Sequence, residues 1–155
     1  MKTPVRAALT DASPLQAKVC DGMGAVKKEE RGLFADDARR AFADSLDLDE
    51  AVRPGHGGEN RWDYLLGHEA SGEVIAVEPH SAKQDEVRAV IRKRAAAKEQ
   101  LRPHLREGAR ITRWLWVASG AVHFANTERT RLALDQHGIE FVGKRVTSKH
   151  LPKGK

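Results

Sequence analysis

The sequence contains a single cysteine among its 155 residues, and it contains no long apolar run. Because a disulfide needs two cysteines, Cys20 excludes an intramolecular disulfide and every zinc site built on several cysteines. No segment approaches the roughly 20 consecutive apolar residues of a membrane-spanning helix. Polar residues and prolines interrupt residues 1–20, so a secretory signal peptide is not expected and we predict a cytoplasmic protein.

Several catalytic and nucleotide-binding motifs are also missing. The glycine-rich stretch 53–60 lacks the Lys-Ser/Thr ending of a phosphate-binding loop. Ser119 and Gly120 lack the Gly-X-Ser-X-Gly surroundings of a hydrolase nucleophile, and the seven histidines form no His-Glu-X-X-His zinc pattern. Carboxylates and basic residues therefore remain as the candidates for function.

Positive charge is the most informative property of the composition. The chain has 27 Lys and Arg against 22 Asp and Glu, which gives a net charge of +5 and a pI near 9.6. Residues 83–113 hold ten basic against four acidic residues, and residues 144–155 hold five basic residues and no acid. Such a stripe and tail suit a nucleic-acid backbone, while a solvated helix face with a solubilising tail explains them equally well. The candidate phosphate-contacting residues are Arg88, Arg92, Lys93, Lys144, Arg145 and Lys149.

The pattern of apolar residues predicts one α/β domain, a small mixed β-sheet flanked by helices, at residues 28–146. We predict an N-terminal arm at residues 1–27 and a mobile basic tail at residues 147–155. The predicted helices span 28–47, 82–102 and 127–136, and the predicted strands span 61–67, 72–80, 111–118 and 139–146. The first two of these strands form a hairpin, and the helix that follows implies a right-handed crossover to a parallel strand.

Two carboxylates on the predicted hairpin form the candidate site. Asp63 lies near the start of the first strand, and Glu78 lies near the end of the second. Side chains two apart on a strand share a face, so Glu78 and His80 point the same way, with Asp63 beside them across the hairpin. Carboxylates on adjacent strands suit Mg²⁺ or Mn²⁺, ions that polarise phosphoryl oxygens and help to generate hydroxide from water.

This arrangement resembles the PD-(D/E)XK nuclease superfamily. The resemblance covers residues 28–146, and it lies in the order of elements more than in the short motif carried by residues 61–66 and 72–80. It implies a restriction-endonuclease-like core and an endonuclease dependent on Mg²⁺ or Mn²⁺, which Asp63 and Glu78 would hold. The first helix of the family often supplies a further acid, and the candidates here are Glu29 and Glu30.

The chain departs from the family pattern at the lysine position, which His80 fills. A histidine can orient water or contact phosphate, but it is charged only part of the time near pH 7. In variant members of the family a lysine arrives from the crossover helix instead. The candidates in this chain are Lys83, which is nearest, and then Lys93 and Lys98.

The same residues have structural interpretations that the sequence leaves open. Asp63 can stabilise a turn, Glu78 can pair with Arg110 or Arg113, and His80 can be a hydrogen-bonded structural residue. We therefore predict a metal-dependent nuclease-like protein acting on DNA or RNA, with catalytic roles for Asp63, Glu78, His80 and Lys83. One alternative is a catalytically inactive module of the same fold that binds nucleic acid or a protein partner. Another is a structural or assembly subunit whose polarised charge forms an interface, with a protein partner or a homodimer as the assembly.

Overall fold

A computed structural model describes residues 2–122 and 128–154 of the chain. Its centre is a six-stranded mixed β-sheet in the order β1-β2-β3-β4-β5-β6, which confirms the predicted α/β class. The strands are β1 (Cys20–Asp21), β2 (Phe42–Asp47), β3 (Tyr64–His68), β4 (Val74–Ala82), β5 (Ile111–Val122) and β6 (Ile139–Phe141). The pairs β1–β2, β2–β3 and β3–β4 are antiparallel, and the pairs β4–β5 and β5–β6 are parallel.

Helices surround the sheet. The α-helices of the described residues are α1 (Pro4–Ala8), α2 (Asp36–Arg39), α3 (Leu48–Val52), α4 (Val87–Leu101) and α5 (Glu128–Gln136). Helix α4 joins the parallel strands β4 and β5, so the predicted crossover is confirmed. Within the described parts of the chain, no helix has the length and apolar character needed to cross a membrane.

The core lies on both faces of the sheet. One face, here called the α4 face, includes Leu65 and Ala76 and packs against α1, α3, α4 and α5. The opposite face includes Tyr64 and Val77 and packs against the segment before β2 and the C-terminal segment. Because side chains alternate along a strand, successive residues of β3 and β4 point alternately into the two core clusters.

The predicted helix over residues 28–47 is wrong. This stretch forms a 3₁₀ helix at Lys28–Leu33, the short α2 and the strand β2. Phe42 and Leu46 are four residues apart, which suits one face of a helix, yet they belong to opposite core clusters. The register of β2 shifts between Phe42 and Asp44, and this bulge breaks the alternation that would have indicated a strand.

The N-terminal residues, for which the sequence predicts an arm, lie against the α4-face core. Val5 is 1% exposed, Leu9 is 0% exposed and Leu15 is 3% exposed. Leu9 also forms an antiparallel bridge with Leu105, which follows α4. The valines and leucines of residues 2–27 are all buried, so this segment is part of the folded domain.

The C-terminal segment is likewise docked. His150 and Leu151 are 8% and 6% exposed, and a 3₁₀ helix covers Ser148–His150. The predicted mobile tail therefore packs against the sheet at least as far as Leu151, while the side chains of Lys149 and Lys153 remain exposed.

Other element boundaries differ from the prediction by a few residues. Strands β3 and β4 confirm the predicted hairpin. Ser81, expected to cap the crossover helix, lies inside β4, and α4 begins at Val87. Strand β6 ends at Phe141, so the predicted last strand is shorter than expected. The cap expected at Thr127 lies outside the described residues.

Gly67 in β3 leaves room for a buried carboxylate. Asp44 is 0% exposed and accepts the N–H groups of Val5 and Arg6 at the start of α1, each at 3.1 Å. A Cβ on Gly67 would lie 2.0 Å from the Asp44 Oδ1 atom and 2.9 Å from the Cβ of Pro4. A side chain here would displace the cap of α1.

We expect Gly67→Ala to lower the free energy of unfolding by about 3 kcal/mol, since overpacking and a lost charged hydrogen bond act together. Gly120→Ala is the matched control because no heavy atom lies within 4 Å of its new Cβ. Its effect should stay within about 0.5 kcal/mol. Urea denaturation of both variants measures the difference, and equal midpoints would contradict the packing described here.

Candidate functional site

The hairpin brings Asp63 and Glu78 together. Asp63 directly precedes β3, whose first residue Tyr64 pairs with Val77, and the Asp63 N–H donates to Glu78 Oε1 at 2.9 Å. The Asp63 carbonyl accepts the N–H of Leu48 at 2.8 Å, so α3 fixes its backbone from the other side. Glu78 is two residues from Ala76 of the α4-face core, so its side chain lies on that face, and the Asp63 N–H reaches it there.

Glu78 is the buried centre of the cluster. Its side chain is 0% exposed, and its Oε2 atom pairs with the ammonium of Lys93 from α4. Lys93 is itself only 18% exposed. A buried carboxylate is costly without a cation, so this ion pair is what allows Glu78 to lie inside the protein.

His80 lies on the same side of β4, between two acids. Its Nδ1 atom is 3.4 Å from Glu78 Oε2, and its Nε2 atom is 2.9 Å from Glu86 Oε2. The hydrogen bond to Glu78 is the main reason that the pKa of His80 is raised, and the bond to Glu86 adds to it. Trp116 Nε1 donates to the His80 carbonyl at 3.2 Å, so β5 holds the backbone here.

The Asp63 carboxyl has a strongly raised pKa. Burial and then the charge of Glu78 raise the pKa of Asp63 from 3.8 to about 7, although Lys93 opposes the shift. In the described residues, no hydrogen bond or ion pair reaches its carboxylate oxygens. Near neutral pH, Asp63 is therefore poised between its charged and uncharged forms.

Glu30 is the acid that the segment before β2 contributes near the site. It accepts a hydrogen bond from the Tyr64 hydroxyl, and its charge contributes to the raised pKa of Asp63. Burial, followed by this hydrogen bond, also raises the pKa of Tyr64. Glu29, the other acid considered, is exposed.

The structure distributes the remaining predicted residues over different surfaces. Arg88 and Arg92 are exposed on α4 and line a cavity of about 540 Å³ shared with Arg129 and His137 of the α5 region. Lys144, Arg145 and Lys149 are also exposed, but their segment covers the opposite face of the sheet. The six predicted phosphate-contacting residues therefore do not form one surface.

The lysine that meets Glu78 is Lys93 and not Lys83, the nearest candidate in sequence. Lys83 is exposed and acts electrostatically on Glu86. Lys93, which the charge pattern assigned to phosphate contact, has its ammonium at Glu78 instead. The only sequence signal for this role was its place on the crossover helix, which also fitted two other lysines.

No three or more His, Cys, Asp and Glu side chains within residues 2–122 and 128–154 are grouped in a way that would hold a metal ion. A cation at this site would thus have two protein carboxylates, Asp63 and Glu78. Comparison of the chain with family models, curated proteins and solved structures gave no significant match.

Proposed function

We propose that this protein is a metal-dependent nuclease-like enzyme that cleaves phosphodiester bonds of DNA or RNA, on a degenerate PD-(D/E)XK core. The supporting observation is the meeting of Asp63, Glu78 and Lys93. Two acids on a hairpin and a lysine from the crossover helix are the residue types that the resemblance implies. The order β2-β3-β4-α4-β5 is also consistent with a restriction-endonuclease-like core.

The donor set suits Mg²⁺ or Mn²⁺. The charge of Glu78 disfavours ionised Asp63, and a divalent ion held by both acids would remove that repulsion. Glu78 Oε1 accepts only the Asp63 N–H among the described groups, so it keeps an acceptor position for a cation. Mg²⁺ commonly binds one or two carboxylates and retains waters for its other positions. When bound, the ion would supply a Lewis acid to the phosphoryl oxygen.

The chain's own residues have distinct roles in this proposal. Lys93 neutralises Glu78 and is the cation best placed to contact a phosphate at the site. His80 is held by Glu78 and Glu86, which makes it a positioning residue for Glu78 in place of the family lysine. Arg88 and Arg92 would hold the nucleic-acid backbone by charge. The unpaired Cys20 suits the cytoplasm, where we propose that the protein acts.

A second function is favoured by one observation. Glu78 is fully buried, and each of its oxygens already has a partner within the protein. Such a self-contained cluster suits a catalytically inactive nuclease fold that binds nucleic acid or a protein partner. In that case Asp63 and Glu78 would serve the fold alone.

Cleavage assays separate the two functions. We expect the wild-type protein with Mg²⁺ or Mn²⁺ to cleave at least one of single- and double-stranded DNA and RNA, and to lose this activity with EDTA. Asp63→Asn should reduce cleavage at least about 100-fold, because the loss of one metal-binding charge weakens the ion and the transition state together. Asp37→Asn is the matched control, since Asp37 is exposed on α2. Binding without cleavage of any substrate would favour the inactive module.

A further inference from the structure

A second cavity, of about 530 Å³, lies between the C-terminal half of α4 and the start of β5. We call it the basic recess. Its charged lining residues are Arg94, Lys98, Arg102, Arg106 and Arg110, with Glu107 as the acid among them. A concave surface with such an excess of cations attracts anions, and its walls concentrate the field.

Arg94 carries a positive charge that the fold does not neutralise. Its guanidinium lies over the ring of Trp114, 5.2 Å from the centroid, and its Nε atom is buried without a hydrogen-bond partner in the described chain. Gly138 makes space for it, since a Cβ there would lie 2.8 Å from the Arg94 Nη2 atom. Burial lowers the pKa of Arg94. Arg94 is partly buried, and a partly desolvated guanidinium without an acidic partner favours a bound anion.

The neighbouring cations differ in how they are paired. Arg102 pairs with Glu99 at 2.7 Å, and Arg106 pairs with Asp11 at 2.6 Å. Arg94, Lys98 and Arg110 have no ion pair within residues 2–122 and 128–154. Three positive groups in the recess are therefore available to a ligand.

The basic recess is separate from the Asp63–Glu78 cluster. Lys93 and Gln100 lie on the β3 side of α4, where Lys93 meets Glu78 and Gln100 donates to the Asn60 carbonyl at 2.9 Å. Arg94 and Lys98 line the recess on the β5 side of the same helix. Helix α4 thus stands between the two sites.

We propose that the basic recess binds a phosphoryl group carried on an apolar or aromatic body, the chemistry of a nucleotide, either free or within a nucleic-acid strand. A guanidinium group can donate two parallel hydrogen bonds to two oxygens of one phosphate. Three cations without ion pairs also carry more positive charge than a single carboxylate would neutralise, so a phosphoryl group is the better match. Leu101, Ile111 and Trp114 supply the apolar part of the lining. The proposal does not depend on catalysis at Asp63 and Glu78.

The test uses two probes, adenosine 5′-monophosphate and a short 5′-phosphorylated single-stranded DNA, titrated by calorimetry at low salt. We expect the double variant Lys98→Gln/Arg110→Gln to weaken binding about tenfold or more, because it removes charge-assisted hydrogen bonds. The matched control is Lys28→Gln/Arg40→Gln, which removes the same charges from exposed positions elsewhere. Its affinity should stay within about twofold of that of the wild type.

The outcomes distinguish the sources of the phosphate. If the double variant binds both probes more weakly, the recess binds nucleotides in either form. If it binds only the DNA more weakly, the recess binds phosphate within a strand. Affinities of the double variant equal to those of its control for both probes would overturn the proposal. Arg94→Met should weaken binding as strongly without lowering the melting temperature, and full binding by this variant would also contradict it. EDTA is present in every titration, so that no divalent ion is held by Asp63 and Glu78, which keeps this test independent of the nuclease proposal.

Discussion

Lys93→Met is expected to lower the free energy of unfolding by about 3–5 kcal/mol, the usual cost of removing one partner of a buried ion pair. The variant leaves the Glu78 carboxylate at 0% exposure without its ammonium. His80 and the Asp63 N–H then become its remaining partners in the described cluster. Cleavage should be lost as well, because the site loses its nearest cation.

Removing the acid of this ion pair should lower the free energy of unfolding much less than removing the lysine. Glu78→Gln removes the buried charge, and the 18% exposed Lys93 can turn its ammonium towards water. The double variant Glu78→Gln/Lys93→Met should therefore be more stable than Lys93→Met alone, and the cycle should show a coupling of roughly 2–3 kcal/mol. Both variants that contain Glu78→Gln should be inactive, since a hard cation requires the carboxylate.

Lys83→Met is the control for this cycle, because Lys83 is exposed near the same helix. We expect its free energy of unfolding to stay within about 0.5 kcal/mol of the wild-type value. Chemical denaturation of the four proteins measures the cycle, and metal-dependent cleavage measures the activity. Additive effects of the two substitutions would show that Glu78 and Lys93 are not paired.

The free energy of unfolding of Asp63→Asn is expected to rise relative to that of the wild type as the pH increases from about 4 to 7. Burial and Glu78 raise the pKa of Asp63 from 3.8 to about 7, so the folded protein holds a proton that the unfolded chain releases. The contribution of Asp63 to stability is therefore fully present below pH 3.8 and is lost as the pH rises through the folded pKa. The asparagine variant has no such proton, so the difference should grow to roughly 2–4 kcal/mol and level off above pH 7.

His80 acts in the same direction over a higher range of pH. Its pKa is raised above 6.5, so its contribution is present below pH 6.5 and is lost as the pH rises through the folded value. It is unchanged in Asp63→Asn and cancels to first order in the comparison. Thermal melts at pH 4, 6 and 8 measure the difference, and a gap that does not depend on pH would contradict the raised pKa.

The same thermal melts with and without Mg²⁺ test whether the ion binds at Asp63. An ion that binds only the folded state raises its stability, and it binds best where Asp63 is ionised. Mg²⁺ should therefore stabilise the wild type more at pH 8 than at pH 5 and should leave Asp63→Asn nearly unchanged. Equal stabilisation of both proteins would place the ion elsewhere.

Sequence reasoning reached the hairpin of the site but not the helix above it. Asp63, Glu78 and His80 could be placed on one face because alternation along strands and a short hairpin connection are local rules. The partner of Glu78 depends on how α4 crosses the sheet. Three lysines on or near that helix met the sequence criterion, and tertiary packing selected Lys93.

The failure at β2 has a similar origin. A buried acid such as Asp44 argues against a core strand by composition, and its reason for being buried is α1, far away in sequence. Phe42 and Leu46 are four residues apart, a spacing that suits one face of a helix, and the bulge places them on opposite faces of the sheet. Local patterns therefore indicated the wrong element where distant contacts decided the structure.

The pairing of the N-terminal segment with the chain beyond α4 has a consequence for the order of folding. Thr10 N–H donates to the His104 carbonyl at 2.8 Å, and Arg106 Nε donates to the Ala7 carbonyl across 99 residues of sequence. Closing so large a loop lowers the entropy of the chain before the contacts that stabilise it can form. On a ribosome, this pairing forms only after residues 104–106 have emerged, so the wall of the basic recess that contains Leu105 and Arg106 is completed after Asp44 can cap α1.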